Sequence, residues 1–215
     1  MDPTFRHYGI WTEAMDDATG PVVRGREVWD LGAGFLGHSH HLLALGARCV
    51  VAVDKDAQHY PSAYEDRPIT FLHGYFSELQ VPDAIEVAFL AWPDNHHLPG
   101  LIEILRAAER VVYVGTNTEG SACGWPGLWD YLHFREPLAY VPHRRNSLIV
   151  YGRHLEECER RPQLGEEAAA SNGIMMTFDD SERIAREVAT VTFEMRGVPV
   201  PPWARRAKNK EVTSG

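Results

Sequence analysis

The sequence predicts an α/β fold of three layers, a mostly parallel sheet with helices on both faces and an antiparallel hairpin at its C-terminal side. Three observations predict it. Short β-branched runs alternate with helix-compatible segments, the pattern of strand-helix-strand units. A glycine-rich turn, "DLGAGFLG" (residues 30–37), stands between the first such run and the helix after it. Two apolar runs flank a polar tip in "PLAYVPHRRNSLIVYGR", as expected of a hairpin closing a sheet.

The elements follow in chain order. "EVWDLGAG" reads as a strand ending in a glycine turn, "HSHHLLALGA" as a helix with Gly46 near its end, and "RCVVAVDKD" as a second buried strand ending at Asp54. "PITFLHG", "IEVAFLAWP" and "RVVYVGT" are three more strands, with the amphipathic helix "LPGLIEILRAAER" before the last of them. After Thr116 come a glycine-rich loop, "NTEGSACGWPG", a short helix, "LWDYLHF", and the hairpin. Ahead of the first strand, "GIWTEAM" is either a small helix or a lid. Residues 1–154 therefore form the main domain. Residues 155–215 form an extension with one helix, "DDSERIAREVATVTFEM", and an extended or disordered Pro-rich, then basic, end.

Composition bounds the function. The chain of 215 residues is 44% hydrophobic and can bury a core as one domain. It has no apolar run of spanning length, and its start lacks a basic segment followed by an apolar one, so a cytoplasmic protein without membrane association is expected. Cys49, Cys123 and Cys158 stand far apart, which fits free thiols rather than a disulfide framework or a cysteine zinc site. A formal charge of −9 disfavours nonspecific binding to a polyanion, although "HRR" at the hairpin tip and "ARRAKNK" in the tail keep a nucleic-acid partner open.

Gly32, Gly34 and Gly37 fit G-x-G-x-x-G, which lets a nucleotide-containing ligand approach the backbone. The turn follows a strand, opens a helix, and is trailed by a strand ending in Asp54, an acid suited to the ribose hydroxyls of an adenosine. Asp30, two residues before the first glycine, decides between ligands. A carboxylate there repels a pyrophosphate but favours the ammonium of S-adenosyl-L-methionine. "DLGAGFLG" followed by "VVAVDKD" thus resembles the glycine loop and acidic second strand of class I S-adenosylmethionine-dependent methyltransferases.

The resemblance covers residues 27–153 and implies a Rossmann-like, seven-stranded sheet ending in an antiparallel strand. It implies that Asp30, Gly32 and Gly34 line the methionine end of the cofactor and that Asp54 meets the ribose. After the third strand, "FLHGYFSEL" offers Gly74, Tyr75 and Phe76 for stacking and backbone contacts in place of the family's usual acid. Trp92, at the end of the fourth strand, is a further aromatic candidate on the cofactor side.

Acceptor chemistry is expected at the carboxyl ends of the fourth and fifth strands. "AWPDNHH" supplies Asp94, His96 and His97 as candidate bases or orienting groups. It departs from the amino-group methyltransferases of nucleic acids, since Ala91 replaces their polar residue and one proline is present. The loop after the fifth strand adds Asn117 and Glu119 as polar contacts and Trp125 as an apolar wall for the substrate. His38, His40 and His41 converge poorly on a helix, so no metal is expected and a helix-surface or pocket-edge position is. The expected function is methyl transfer to an acceptor of unassigned identity, with a small molecule favoured over nucleic acid. Two alternatives are a noncatalytic binding protein of the same fold and an NAD-dependent oxidoreductase. Oligomeric state is not readable from the sequence.

Overall fold

The apolar runs at the centre of the sheet become strands because they can be buried on both faces, which a parallel sheet covered by helices provides. The computed structural model describes residues 10–56, 68–94, 97–115, 123–124, 126–143, 146–155, 194 and 197–199. Its elements are α1 (Glu13–Val23), β1 (Glu27–Leu31), α2 (Gly37–Ala44), β2 (Cys49–Asp54), β3 (Ile69–His73), a 3-10 turn (Phe76–Glu78), β4 (Ile85–Ala91), α3 (Leu101–Ala107), β5 (Ala108–Gly115), α4 (Pro126–His133), β6 (Arg135–Val141) and β7 (Ser147–His154). The strands form one seven-stranded sheet in the order β3-β2-β1-β4-β5-β7-β6. The first five strands pair in parallel, and β7 runs antiparallel to both β5 and β6.

Alternation along the strands divides the core into two layers. Trp29, Leu31, Leu90, Val111 and Tyr113 face α3 and α4, whereas Val28, Val50, Val87, Phe89 and Val112 face α1 and α2. The expected three-layer architecture and the closing hairpin are both present. No helix among the described residues is long and apolar enough to cross a membrane.

Two helices differ from the sequence reading. α1 runs well beyond "GIWTEAM", through Gly20 and Pro21. Local propensity would stop it there, but Met15, Val22 and Val23 are buried against the sheet and carry the helix on. α3 is shorter than "LPGLIEILRAAER", because Ala108 already pairs with Ile85 of β4 and begins β5.

Arg135 reinforces that helix-to-strand junction. Its guanidinium is 1% exposed and donates to Gly152 O (2.7 Å), Leu105 O (3.0 Å), Tyr131 Oη (3.0 Å), Ala108 O (2.8 Å) and Glu109 O (2.9 Å). Carbonyls at the end of α3 carry the negative end of the helix dipole, so they stabilise a cation without a carboxylate.

On the same layer, Gly100 precedes α3 with φ +85°, a left-handed conformation that favours glycine. A Cβ there would stand 2.5 Å from Phe76 C and Ser77 N, within the backbone of the 3-10 turn. Gly100→Ala is therefore expected to cost about 2–3 kcal/mol, from left-handed strain plus a backbone clash. Urea unfolding would measure it, and a loss below about 0.5 kcal/mol would show that the turn does not dock on α3.

Of the C-terminal extension, the described residues 197–199 bring Val198 against the core layer that carries α3 and α4. The helix expected around residues 179–195 lies outside the described residues except for Glu194.

Candidate functional site

Strand order reverses between β1 and β4, and at such a switch point the connections leave on opposite faces and open a crevice at the carboxyl edge. Asp30 is the penultimate residue of β1, paired with Ala52 of β2 and Phe89 of β4, and it points toward the α1 and α2 layer. It is 1% exposed, and Ser39 of α2 donates its Oγ–H to Asp30 Oδ2 at 2.5 Å. Burial is the main force that pushes its pKa up to about 7; hydrogen bonds from the Ser39 hydroxyl and backbone oppose it, and the neighbouring Asp54 charge adds to it. Among the described residues no cation pairs with Asp30.

The glycine loop then folds back on β2. Gly32 N and Ala33 N both donate to Val53 O, at 2.9 and 3.0 Å, and Gly34 N donates to Asp54 Oδ2 at 2.7 Å. Gly32 and Gly34 have φ of +79° and +51°, and a Cβ on Gly32 would meet nothing within 4 Å, so the space above it is open. Gly37 opens α2, and the left-handed residue before it is Leu36, at φ +61° and fully buried. Its packing against the core offsets a strain of about 1–3 kcal/mol, of the kind that clusters at ligand sites.

Asp54 links loop to loop, since its backbone O accepts from Gly74 N at 3.1 Å while its Oδ1 accepts from Asp56 N at 2.9 Å. Tyr75 follows Gly74 and is 61% exposed beside this junction. Asp30, Gly32, Gly34, Asp54 and Tyr75 are thus gathered along the carboxyl edge of β1, β2 and β3. Trp92 follows β4 directly with φ +52°; its N–H donates to Val114 O at 2.7 Å, and its indole N–H is buried without a partner.

The acceptor-side candidates are only partly described. Asp94 and His97 are exposed beyond β4, whereas His96, Asn117, Glu119 and Trp125 lie outside the described residues. Gly124 N donates to Pro93 O at 2.9 Å, so the chain after β5 does return to the end of β4. Cys123 beside it is buried.

Two features escaped the sequence reading. His38, His40 and His41 are buried rather than on the helix surface or a pocket edge. For His38 and His41 the reason is the segment ahead of α1, which lays Trp11 over both rings. Ser39, the partner of Asp30, was the other omission, and a serine nine residues away on the next helix carries no motif.

No family model matches the chain, and no curated protein does. Among solved structures, a candidate RNA methyltransferase of Pyrococcus horikoshii superposes with a TM-score of 0.51 at 17% identity, covering 65% of this chain and 82% of its own. A candidate methyltransferase of Escherichia coli gives a TM-score of 0.50 at 13% identity, covering 67% and 84%. With its sheet order and the antiparallel β7, the chain has the fold of the class I S-adenosylmethionine-dependent methyltransferases.

Proposed function

We propose that this protein is an S-adenosylmethionine-dependent methyltransferase acting on a small-molecule acceptor. The carrying observation is Asp30, a buried carboxylate at the switch point, beside an open glycine turn and without a cation among the described residues. A ligand ammonium near it would draw off its proton and gain a charge-assisted interaction. A pyrophosphate would meet a second negative charge instead, which disfavours the NAD reading.

The remaining residues fit the same ligand. Each Asp54 oxygen accepts one backbone N–H and retains a lone pair for a ribose hydroxyl. Tyr75 offers an exposed ring face to the adenine. When bound, the cofactor supplies an electrophilic methyl group, and the protein's task is to align an acceptor with it in a dry site and take up a proton where needed. Asp94 and His97, with His96 and the loop carrying Asn117, Glu119 and Trp125, are the residues proposed for that task. The net charge of −9 supports a small acceptor over a nucleic acid.

Calorimetric titration with S-adenosylmethionine, S-adenosylhomocysteine and NAD tests the reading. The first two are expected to bind and NAD is not, with Asp54→Ala weakening both by about tenfold or more through lost hydrogen bonds to a charged group. A preference for NAD would overturn the proposal. Tight binding without turnover on small acceptors would point to the noncatalytic alternative, which the missing polar side chain at Ala91 favours.

A further inference from the structure

α2 has two sets of partners within about one turn. Ser39 faces Asp30, whereas His38 and His41 face the N-terminal segment. The Trp11 ring lies 5.6 Å from His38, 5.0 Å from His41 and 6.1 Å from Phe89 of β4, centroid to centroid. Its Nε1–H donates to Asp16 Oδ1 at 2.5 Å, and His41 Nε2 meets the same oxygen at 2.6 Å. One residue earlier, Asn146 grips the backbone of Ile10 at both atoms: its Oδ1 accepts from Ile10 N at 2.9 Å and its Nδ2 donates to Ile10 O at 3.0 Å.

Asn146 is 1% exposed and immediately precedes β7, whose first residue, Ser147, pairs with Gly115 at the carboxyl end of β5. β4 and β5 lie between β1 and β7. A segment held by Asn146 on one side and by α2 on the other therefore passes the carboxyl ends of both strands, where the acceptor groups are expected. Its tethers are a few directional bonds and ring contacts, each of modest net strength. Met15, fully buried, confines any opening to the residues ahead of it.

Resting on the methyltransferase reading, we infer that residues 10–12 are a strap walling the acceptor side of the site, clasped at Asn146 and latched at Asp16, with α2 coupling its closure to the cofactor groove. A ligand that orders Asp30 and Ser39 also orders the helical turn on which Trp11 sits. By reciprocity, closure of the strap tightens the ligand. A strap fixed at both ends suits a compact acceptor lying against Trp11 rather than a polymer.

Hydrogen exchange at residues 10–15, with and without S-adenosylhomocysteine, tests this together with calorimetry of the same ligand. In the wild type the ligand is expected to slow exchange there by about tenfold or more. Asn146→Ala, at the start of a strand separated from β1 by β4 and β5, is expected to remove most of that protection and to weaken the ligand about three- to tenfold. Trp11→Phe, which keeps a ring but loses the N–H, gives a smaller loss of the same kind and carries the test if Asn146→Ala does not fold. A bound ligand that leaves exchange at residues 10–15 unchanged, or unaltered affinity in both variants, overturns the strap and leaves the methyltransferase reading standing. Failure of the wild type to bind the ligand overturns both.

Discussion

Asp30→Asn is expected to stabilise the protein at pH 8 while crippling its ligand binding. Unfolded, the carboxyl ionises near its ordinary value of 3.8, whereas burial in the folded protein holds the proton until about pH 7. Between those values the folded state keeps a proton that the unfolded state has lost, so stability falls as pH rises through the window and levels off above it. The lost stability has an upper bound of about 4 kcal/mol, a little over 1.3 kcal/mol per pKa unit. Asparagine fills the same space, can still accept from Ser39 and carries no charge. Thermal melts should therefore show the variant more stable than the wild type at pH 8, with the gap closing toward pH 4. A variant less stable at pH 8 would mean that Asp30 has favourable partners when ionised.

The same substitution removes the charge proposed to meet the ligand ammonium. Affinity for S-adenosylhomocysteine is expected to drop by about 10- to 100-fold, the worth of a hydrogen bond to a charged group. In the wild type, affinity should rise with pH up to about 7, as Asp30 must ionise to pair, and then level off. Titrations between pH 5.5 and 8.5 would show that rise in the wild type and its absence in Asp30→Asn. Stability and binding thus oppose each other at one side chain, as expected where a site retains an unfavourable group for function.

The second large effect belongs to Arg135, which takes no part in the proposed site. Arg135→Met is expected to destabilise by about 3–5 kcal/mol, because the backbone carbonyls that shared the guanidinium lose a charged donor within the core. Burial lowers the Arg135 pKa, yet the hydrogen bonds all go to oxygen acceptors that favour the cation. Arg135→Lys is expected to recover only part of the loss, since an ammonium has three donors where the guanidinium uses five. Urea denaturation at fixed pH measures both variants, and a loss under about 1 kcal/mol for Arg135→Met would show that water replaces the guanidinium.

The strands were legible because each carries its signal locally. Runs such as "CVVAVD" and "IEVAFLA" are β-branched, short and bounded by turn residues, and they became β2 and β4. That the candidate cofactor residues share one edge was legible for a related reason. Asp30, Gly32, Gly34 and Asp54 lie at strand ends, and strand ends of a parallel sheet converge on one edge whatever the helices do.

Features set by distant partners were not legible. α1 outlasts Gly20-Pro21 and α3 stops early because burial and strand pairing outweigh propensity. His38 and His41 are covered by Trp11, and Ile10 is clasped by a side chain 136 residues away. By itself, the sequence determined the strand set, the glycine turn and the acids at its edge, since these depend on neighbours within one strand-turn-helix unit. The pKa of Asp30, the seat of the strap and the carbonyl nest around Arg135 were decided only by the tertiary structure. Desolvation and hydrogen-bond geometry depend on which segments meet, and no local pattern encodes that meeting.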